Sequence, residues 1–295
     1  MRDDGAEDST RWDAGQAMYP VGNEESMALR PSFRKNQVSI IQTFLRHHWE
    51  ASGRTGVVLG MSGGLDSSVV AKLSAEALGP TNVLGLAMPL TAKDSQDERD
   101  AKAWANQLGI DFRQVEIGPM VASVVGHLDI APDDRIGRGN VQARLRMITL
   151  YQVAHAEDRL VIGTSNKSEI ASGYFSKFGD GGSDFAPLGD LYKTQVRGMA
   201  RHLGVPSSIL EKVPSAGLWE GQTDEEELGI PYEDLDRVLL GLELEMTLEE
   251  ITARTGLSKE VVERADSMVR RSVHKRKMPL IPKVGIRTFG LDWRE

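Results

Sequence analysis

The sequence predicts an α/β fold: a parallel, doubly wound sheet followed by a helical C-terminal part. Three observations predict it. Short β-branched runs alternate with helical patterns between residues 55 and 164. That order feeds parallel strands through right-handed crossovers. The first two helical patterns of this alternation each close on a glycine, Gly79 and Gly109, where a C-cap is expected. From Thr194 onward the pattern turns mostly helical.

Each element follows from its own residues. Within Ser32 to Ser52, "VSIIQTFLRHHWEAS" places apolar residues at helical spacing. "TGVVLG" reads as a strand ending at Gly60, and "SSVVAKLSAEALG" as the helix after it. "NVLGLAM" is the second strand. "SQDERDAKAWANQLG" is a helix with an acidic first turn, which suits the positive end of the helix dipole. "FRQVEI" is the third strand, "NVQARLRMITLYQVAHAE" a long helix and "RLVIGT" the fourth strand. Ligands of such sheets sit at the carboxyl ends of the strands.

Composition narrows the function classes. The chain has 295 residues, 40% of them hydrophobic, enough for a sizeable core. No Pro/Gly/Ser-rich linker divides it, so residues 31–295 read as one domain behind a polar arm at 1–30. The net charge of −8 argues against a general nucleic-acid partner, though a local basic site for a small anion remains open. The absence of cysteine excludes disulfides, thiolate zinc sites and a cysteine nucleophile. The first thirty residues lack the apolar core of a signal peptide, and no run is long enough to span a bilayer. A cytoplasmic protein without a membrane partner is expected.

The informative stretch is "VVLGMSGGLDSSVV", residues 57–70. Ser62-Gly63-Gly64-Leu65-Asp66-Ser67 falls where the first strand ends and a helix opens. Glycines there let backbone N–H groups approach an anion, and the helix N-terminus adds partial positive charge. The lysine of a Walker loop is missing, and so is the G-x-G-x-x-G dinucleotide fingerprint. A tight turn whose aspartate and serines cap the helix is one reading. A carboxylate inside an anion loop favours another, since it tolerates phosphate only with a metal between them. That reading is a cradle for Mg²⁺-bound pyrophosphate.

S-G-G-x-D-S resembles the signature of the ATP pyrophosphatases, which split ATP between its α and β phosphates. Further segments sharpen the resemblance: "GTSNKSE" at 163–169, "GYFSKFGDGGSDFAPLGDLYKTQV" at 173–196, "EKVPSAGLWEGQTDEEELG" at 211–229 and "HKRKMP" at 274–279. In this order, from about residue 35 to the C-terminus, they are similar to the ammonia-dependent NAD synthetases. The resemblance implies a Rossmann-like sheet of the adenine nucleotide alpha hydrolase type. It implies ATP-dependent amidation of deamido-NAD through an adenylated intermediate, with AMP and pyrophosphate released. It also implies Mg²⁺, a homodimer, and ATP, deamido-NAD and ammonia as the small-molecule partners.

Carried onto this sequence, the resemblance puts ATP on Gly60, Met61, Ser62, Gly63, Gly64, Leu65, Asp66, Ser67, Thr164, Lys193 and Ser215. It puts the metal on Asp66 and Glu169. It puts deamido-NAD on Arg144, Lys177, Asp184, His274 and Lys275. Asp66 and Lys193 are the expected catalytic groups, with Asp184 a candidate base for ammonia. Bland readings stand beside these. Glu169 could be a first-turn acid and Thr164 a helix N-cap. Lys177 and Asp184 could flank a surface turn, and His274, Lys275 and Arg276 could form a solvated patch. Arg146, two residues from Arg144, lies on a different helix face and reads as a solvated cation.

Rival classes exist. A GMP synthetase core would not be expected to carry "KFGDGGSD" followed by "HKRKMP", and thiolating enzymes usually rely on cysteines. A nucleotide sensor without turnover is disfavoured by Asp66, Glu169 and Lys193 occurring together. With no cysteine for a glutaminase, free ammonia is the expected nitrogen source.

Overall fold

The computed structural model describes residues 29–91, 95–219 and 221–286, so the arm read over 1–30 lies outside the described residues except for Leu29 and Arg30. The helices are α1 (Asn36–Ser52), α2 (Leu65–Leu78), α3 (Gln96–Leu108), α4 (Gly118–His127), α5 (Arg135–Ala156), α6 (Lys167–Ser172), α7 (Lys193–His202) and α8 (Ser207–Leu210). They continue with α9 (Asp224–Leu228), α10 (Tyr232–Glu243), α11 (Leu248–Thr255), α12 (Lys259–Arg271) and α13 (Val273–Arg276). The strands are β1 (Gly56–Gly60), β2 (Val83–Ala87), β3 (Asp111–Gln114) and β4 (Arg159–Ile162).

The four strands form one parallel sheet in the order β3-β2-β1-β4. Val57 lies beside Val83 on one side and Leu160 on the other. Connections from β1 run one way to β2 and the chain later returns to β4 on the opposite side. The loops at the carboxyl ends of β1 and β4 therefore diverge, which opens a crevice at that switch point.

Alternation along β1 assigns its side chains to two cores. Val57 and Leu59 face Leu45, Val69, Leu73, Trp104 and Met199, beneath α1, α2, α3 and α7. Val58 faces Leu84, Leu86, Ile117, Val121 and Val161, beneath α4 and α5. A third core joins α9–α12 through Leu228, Leu235, Val238, Ile251 and Val262, and takes in Tyr192 and Leu29.

Two features depart from the sequence reading. The run "GPMVASVVGH" carried no helix there, yet it forms α4. Its Pro119 sits in the first turn, where a missing N–H costs nothing, and Val121 and Val125 meet the core. The long helix α5 begins at Arg135, five residues before the expected Asn140, because the Asp134 carboxylate accepts the Gly137 N–H at 2.8 Å. Elsewhere the closing glycines act as expected. Gly109 adopts φ +70° and its N–H returns to the end of α3.

Candidate active site

The site lies in a cleft of about 830 Å³ at the carboxyl ends of β1 and β4. The loop after β1 forms its floor. Gly60, Met61, Ser62, Gly64, Leu65, Asp66 and Ser67 line it, while Gly63 is turned away. Gly63 has φ +76°, and a Cβ there would lie 2.1 Å from the Asp97 carbonyl oxygen, so both conformation and space require glycine. Gly64 then starts α2 with no side-chain cap, so the Ser62 hydroxyl accepts its N–H at 3.2 Å. Ser67 and Ser68 donate back to the Gly64 carbonyl at 3.1 and 2.8 Å.

Three predicted residues converge above this loop. Lys193 begins α7 and its side chain is only 5% exposed. Its Nζ pairs with Asp66 Oδ2 and lies 3.4 Å from Glu169 Oε1. Asn166 caps α6, with Glu169 completing the capping box. The same Asn166 donates through Nδ2 to Asp66 Oδ1 at 3.1 Å. Thus Asn166, not Thr164, is the N-cap, and Thr164 is left facing the cleft. Burial disfavours the Lys193 charge, but the adjacent Asp66 and Glu169 charges outweigh it and hold the ammonium above its ordinary range. Burial pushes the Glu169 carboxyl upward, and the Asp66 charge adds to this against the pull of Lys193.

The frame behind them is polar and buried. Asp236 on α10 accepts the Thr194 N–H at 2.9 Å and the Ser168 hydroxyl, and Ser168 Oγ accepts the Lys193 N–H at 2.9 Å. One carboxylate therefore anchors the starts of both α6 and α7. The Lys193 ammonium also lies 5.3 Å from the Tyr232 ring centroid, whose hydroxyl donates to Asp224 at 3.2 Å. Asp224 Oδ1 is buried without a hydrogen-bond partner. Burial raises the Asp224 pKa. The sequence reading did not single out Asp224; its signal was a place in "TDEEELG", which resembles an ordinary acidic first turn.

The remaining predicted residues divide. Ser215 lines the cleft, its Oγ accepting the Gly217 N–H at 3.1 Å. Lys275 lines it too, donating to the Gly173 and Phe175 carbonyls at 2.7 and 2.8 Å. Arg144, Lys177, Asp184 and His274 do not line it. Arg144 is exposed and its Nε donates to the Lys177 carbonyl at 3.3 Å. The Lys177 ammonium sits 5.2 Å from the Phe178 ring centroid. Asp184 accepts the Val161 N–H at 2.7 Å and the Tyr151 hydroxyl at 3.3 Å, so its carboxylate pairs with the open edge of β4 instead of lining the cleft. Burial and this carboxylate push Tyr151 up to about 12. His274 is exposed, and Arg276 donates to the Val269, Ile170 and Ala171 carbonyls, clasping α6 to α12.

The cleft takes instead two neighbours of the expected residues. Arg146, expected to be solvated, donates through Nε to the Met88 carbonyl at 3.2 Å and lines the cleft. Burial lowers its pKa and the Asp180 charge opposes that. Asp180 also lines the cleft, accepting the Ser176 N–H at 2.9 Å. Lys212 lines it as well. Its signal in the sequence is the fragment "EKVPS", in which the resemblance marks only Ser215.

The NAD synthase family model matches residues 37–279. An NH(3)-dependent NAD(+) synthetase of Thermococcus kodakarensis is 50% identical over 247 residues, 83% of this chain and 96% of that protein. One of Methanosarcina acetivorans is 44% identical over 254 residues, 85% of this chain and 99% of that protein. Among solved structures, an NMN synthetase from Francisella tularensis superposes with a TM-score of 0.74 at 36% identity, covering 84% of this chain and 98% of the other. An NH3-dependent NAD synthetase from Campylobacter jejuni gives 0.73 at 29%, covering 84% and 99%. With a family match over most of its length and close relatives covered almost end to end, this chain belongs to the NAD synthase family.

Proposed function

We propose that this chain is an ammonia-dependent NAD synthetase that amidates deamido-NAD at the expense of ATP, releasing AMP and pyrophosphate. The observation that carries this reading is the meeting of Asp66, Glu169 and Lys193 at the loop of residues 62–67 that lines the cleft. In the first step the nicotinate carboxylate attacks the α-phosphorus of ATP. The backbone N–H groups at the start of α2 and the Ser62 and Ser67 hydroxyls receive the departing pyrophosphate. Lys193 stabilises charge that develops on the phosphates, Thr164 and Ser215 contact ATP, and Gly60 and Met61 shape the adjoining wall. In the second step ammonia attacks the acyl carbon of the mixed anhydride and AMP leaves. Positioning carries much of the catalysis, and no covalent enzyme intermediate is required. Asp184 is not assigned as the base for ammonia, since its carboxylate is engaged outside the cleft.

The donor set fits Mg²⁺. Asp66 and Glu169 offer hard oxygen ligands, and with Asp224 they outnumber the single ammonium of Lys193. Asp66 and Glu169 would hold the ion, which when bound neutralises charge on the nucleotide phosphates.

We assign deamido-NAD to Lys275 and Arg146 within the cleft, and to Arg144, Lys177, Asp184 and His274 only with a second copy of the chain. A homodimer is supported by exposed apolar residues beside these groups. Ile148 stands one turn from Arg144 and is 54% exposed, and Phe44, 40% exposed, packs against Phe185 next to Asp184.

The test is direct. The purified chain is incubated with ATP, Mg²⁺, ammonium and deamido-NAD, and NAD, AMP and pyrophosphate are quantified. Equimolar formation of all three is expected. No product, or pyrophosphate release that ignores deamido-NAD, would refute the assignment. Glutamine in ammonia-free buffer should support no turnover. Nicotinate mononucleotide is offered in parallel, and the dinucleotide is expected to be preferred.

A further inference from the structure

The loop at 61–67 contains no lysine, yet one reaches it from beyond α8. Lys212 stands three residues before Ser215. Its Nζ donates to the Gly63 carbonyl at 2.9 Å and to Asp97 Oδ1 at 2.7 Å, and forms an ion pair with Asp100 Oδ2 at 2.6 Å. An ammonium has three protons to give. Here it is engaged on three sides, and two carboxylates answer its single charge. Burial would lower the Lys212 pKa, but Asp100 and Asp97 hold it above the ordinary value. Lys212 thus lines the cleft as a fastener, with two donors committed to Gly63 and Asp97 and its charge answered by Asp97 and Asp100.

We infer that Lys212 is a positioning residue that locks the Gly63–Gly64 peptide plane in the orientation an anion cradle requires. This rests on the reading of residues 62–67 as the pyrophosphate loop. In a trans peptide the carbonyl and the N–H point in opposite directions. Holding the Gly63 oxygen on Lys212 sends the Gly64 N–H the opposite way, toward the Ser62 side of the loop. There it meets Ser62 Oγ at 3.2 Å. Both residues flanking this peptide are glycine, so no Cβ resists rotation of the plane. A half-turn would carry φ of Gly64 from −90° into the positive region and swing the Gly63 oxygen into the cradle. That oxygen would repel a phosphate.

The local packing explains why a lock is needed. Gly63 cannot be exchanged for a stiffer residue, because Asp97 presses against it and its φ is +76°. The segment that forces glycine at 63 also supplies Asp97, which seats Lys212. The lysine, the loop and the start of α3 form one closed arrangement. Through the chain from 212 to 215 it also ties the cradle to the segment bearing Ser215.

The test compares the wild type with Lys212→Met, which keeps the length of the side chain and removes its donors. Affinities for Mg²⁺-pyrophosphate and Mg²⁺-ATP are measured by calorimetry, with the KM for deamido-NAD beside them. Absence of pyrophosphate binding by the wild type would refute the loop reading itself, separately from the lock. Given wild-type binding, Lys212→Met is expected to weaken pyrophosphate and ATP about tenfold or more, the scale of a lost hydrogen bond to a charged group. The KM for deamido-NAD should stay within about twofold, as for a change at an independent site.

The cause is then isolated with Gly64→Ala. The native φ of −90° accepts alanine, and the new Cβ meets only Ser62 Oγ, at 3.2 Å. Positive φ is unfavourable to alanine, so this substitution opposes the flip without Lys212. In that background Lys212→Met should weaken pyrophosphate by less than about threefold, because the two changes act on one peptide. An equal penalty in both backgrounds would overturn the inference and make Lys212 a direct or purely electrostatic contact. If Gly64→Ala binds too weakly to read, a crystal structure of Lys212→Met decides. A Gly63 carbonyl turned into the loop supports the lock, and an unchanged peptide overturns it.

Discussion

The two ends of the cleft are built differently. At the ATP end, side chains from β1–α2, α6, α7 and α10 meet within one chain. Lys193 touches Asp66, Glu169 abuts Lys193, and Asn166 joins Asp66 to α6. At the other end the residues implied for deamido-NAD scatter. Lys275 and Arg146 line the cleft, whereas Arg144 and His274 point to solvent. On the proposed reading the difference teaches that the pyrophosphate end is assembled within one chain, while the dinucleotide end would be completed by a second copy covering α5.

The largest expected effect breaks the preassembled end. Lys193→Met should lower kcat about 100- to 1000-fold, the range for loss of one preorganised donor to developing charge. It should slow pyrophosphate release and NAD formation together, since both follow the same first step. A rapid-quench measurement of each product checks this. If pyrophosphate release survived while NAD formation failed, Lys193 would belong to the second step and the division of the cleft would be wrong.

A smaller effect sharpens the other end. Arg146→Met removes a partly buried guanidinium that lines the cleft. The KM for deamido-NAD should rise about tenfold or more, as expected for a charge-assisted contact, with the KM for ATP moved far less. Steady-state kinetics with each substrate varied in turn would show it. Equal rises for both substrates would place Arg146 in the shared frame, and no rise would return it to a solvated role.

Legibility in the sequence followed the same division. Asp66 could be found from local residues, because the glycines and serines around it sit at fixed offsets at a strand end. Lys193 pairs with Asp66 across 127 positions, and only the resemblance linked them. Arg144 and Arg146 show where a motif lacks orientation. Residues two apart on a helix face differently, and nothing local says which face meets the sheet. In "KFGDGGSD" the resemblance marks the flanking Lys177 and Asp184, yet the interior Asp180 lines the cleft, since a glycine-rich loop has no period to indicate direction. Helix α4 was missed because an apolar run between glycines has no polar face to set its phase. Asp224 hid among surface acids, and its burial depends on Tyr232 arriving from α10.

The mildest prediction asks whether a second copy completes the dinucleotide end. Ile148→Glu places a charge in the exposed apolar strip beside Arg144. Ile148 is more than half exposed in the chain, so the fold should be kept and only association lost. Sedimentation is expected to show a dimer for the wild type and a monomer for the variant. Mg²⁺-ATP affinity should stay within about twofold, because that end is built from one chain. The KM for deamido-NAD should rise several-fold, on the order of one or two lost polar contacts of about 1 kcal/mol each. Adding Arg144→Met to this monomer should then cost nothing further, whereas adding Arg146→Met should still carry its full penalty. In the proposed dimer Arg144 would act only against a partner, while Arg146 is held in the cleft by the Met88 carbonyl of its own chain. A monomer that kept the wild-type KM for deamido-NAD would show that one chain carries the whole site and that the contrast between the two ends is one of exposure alone.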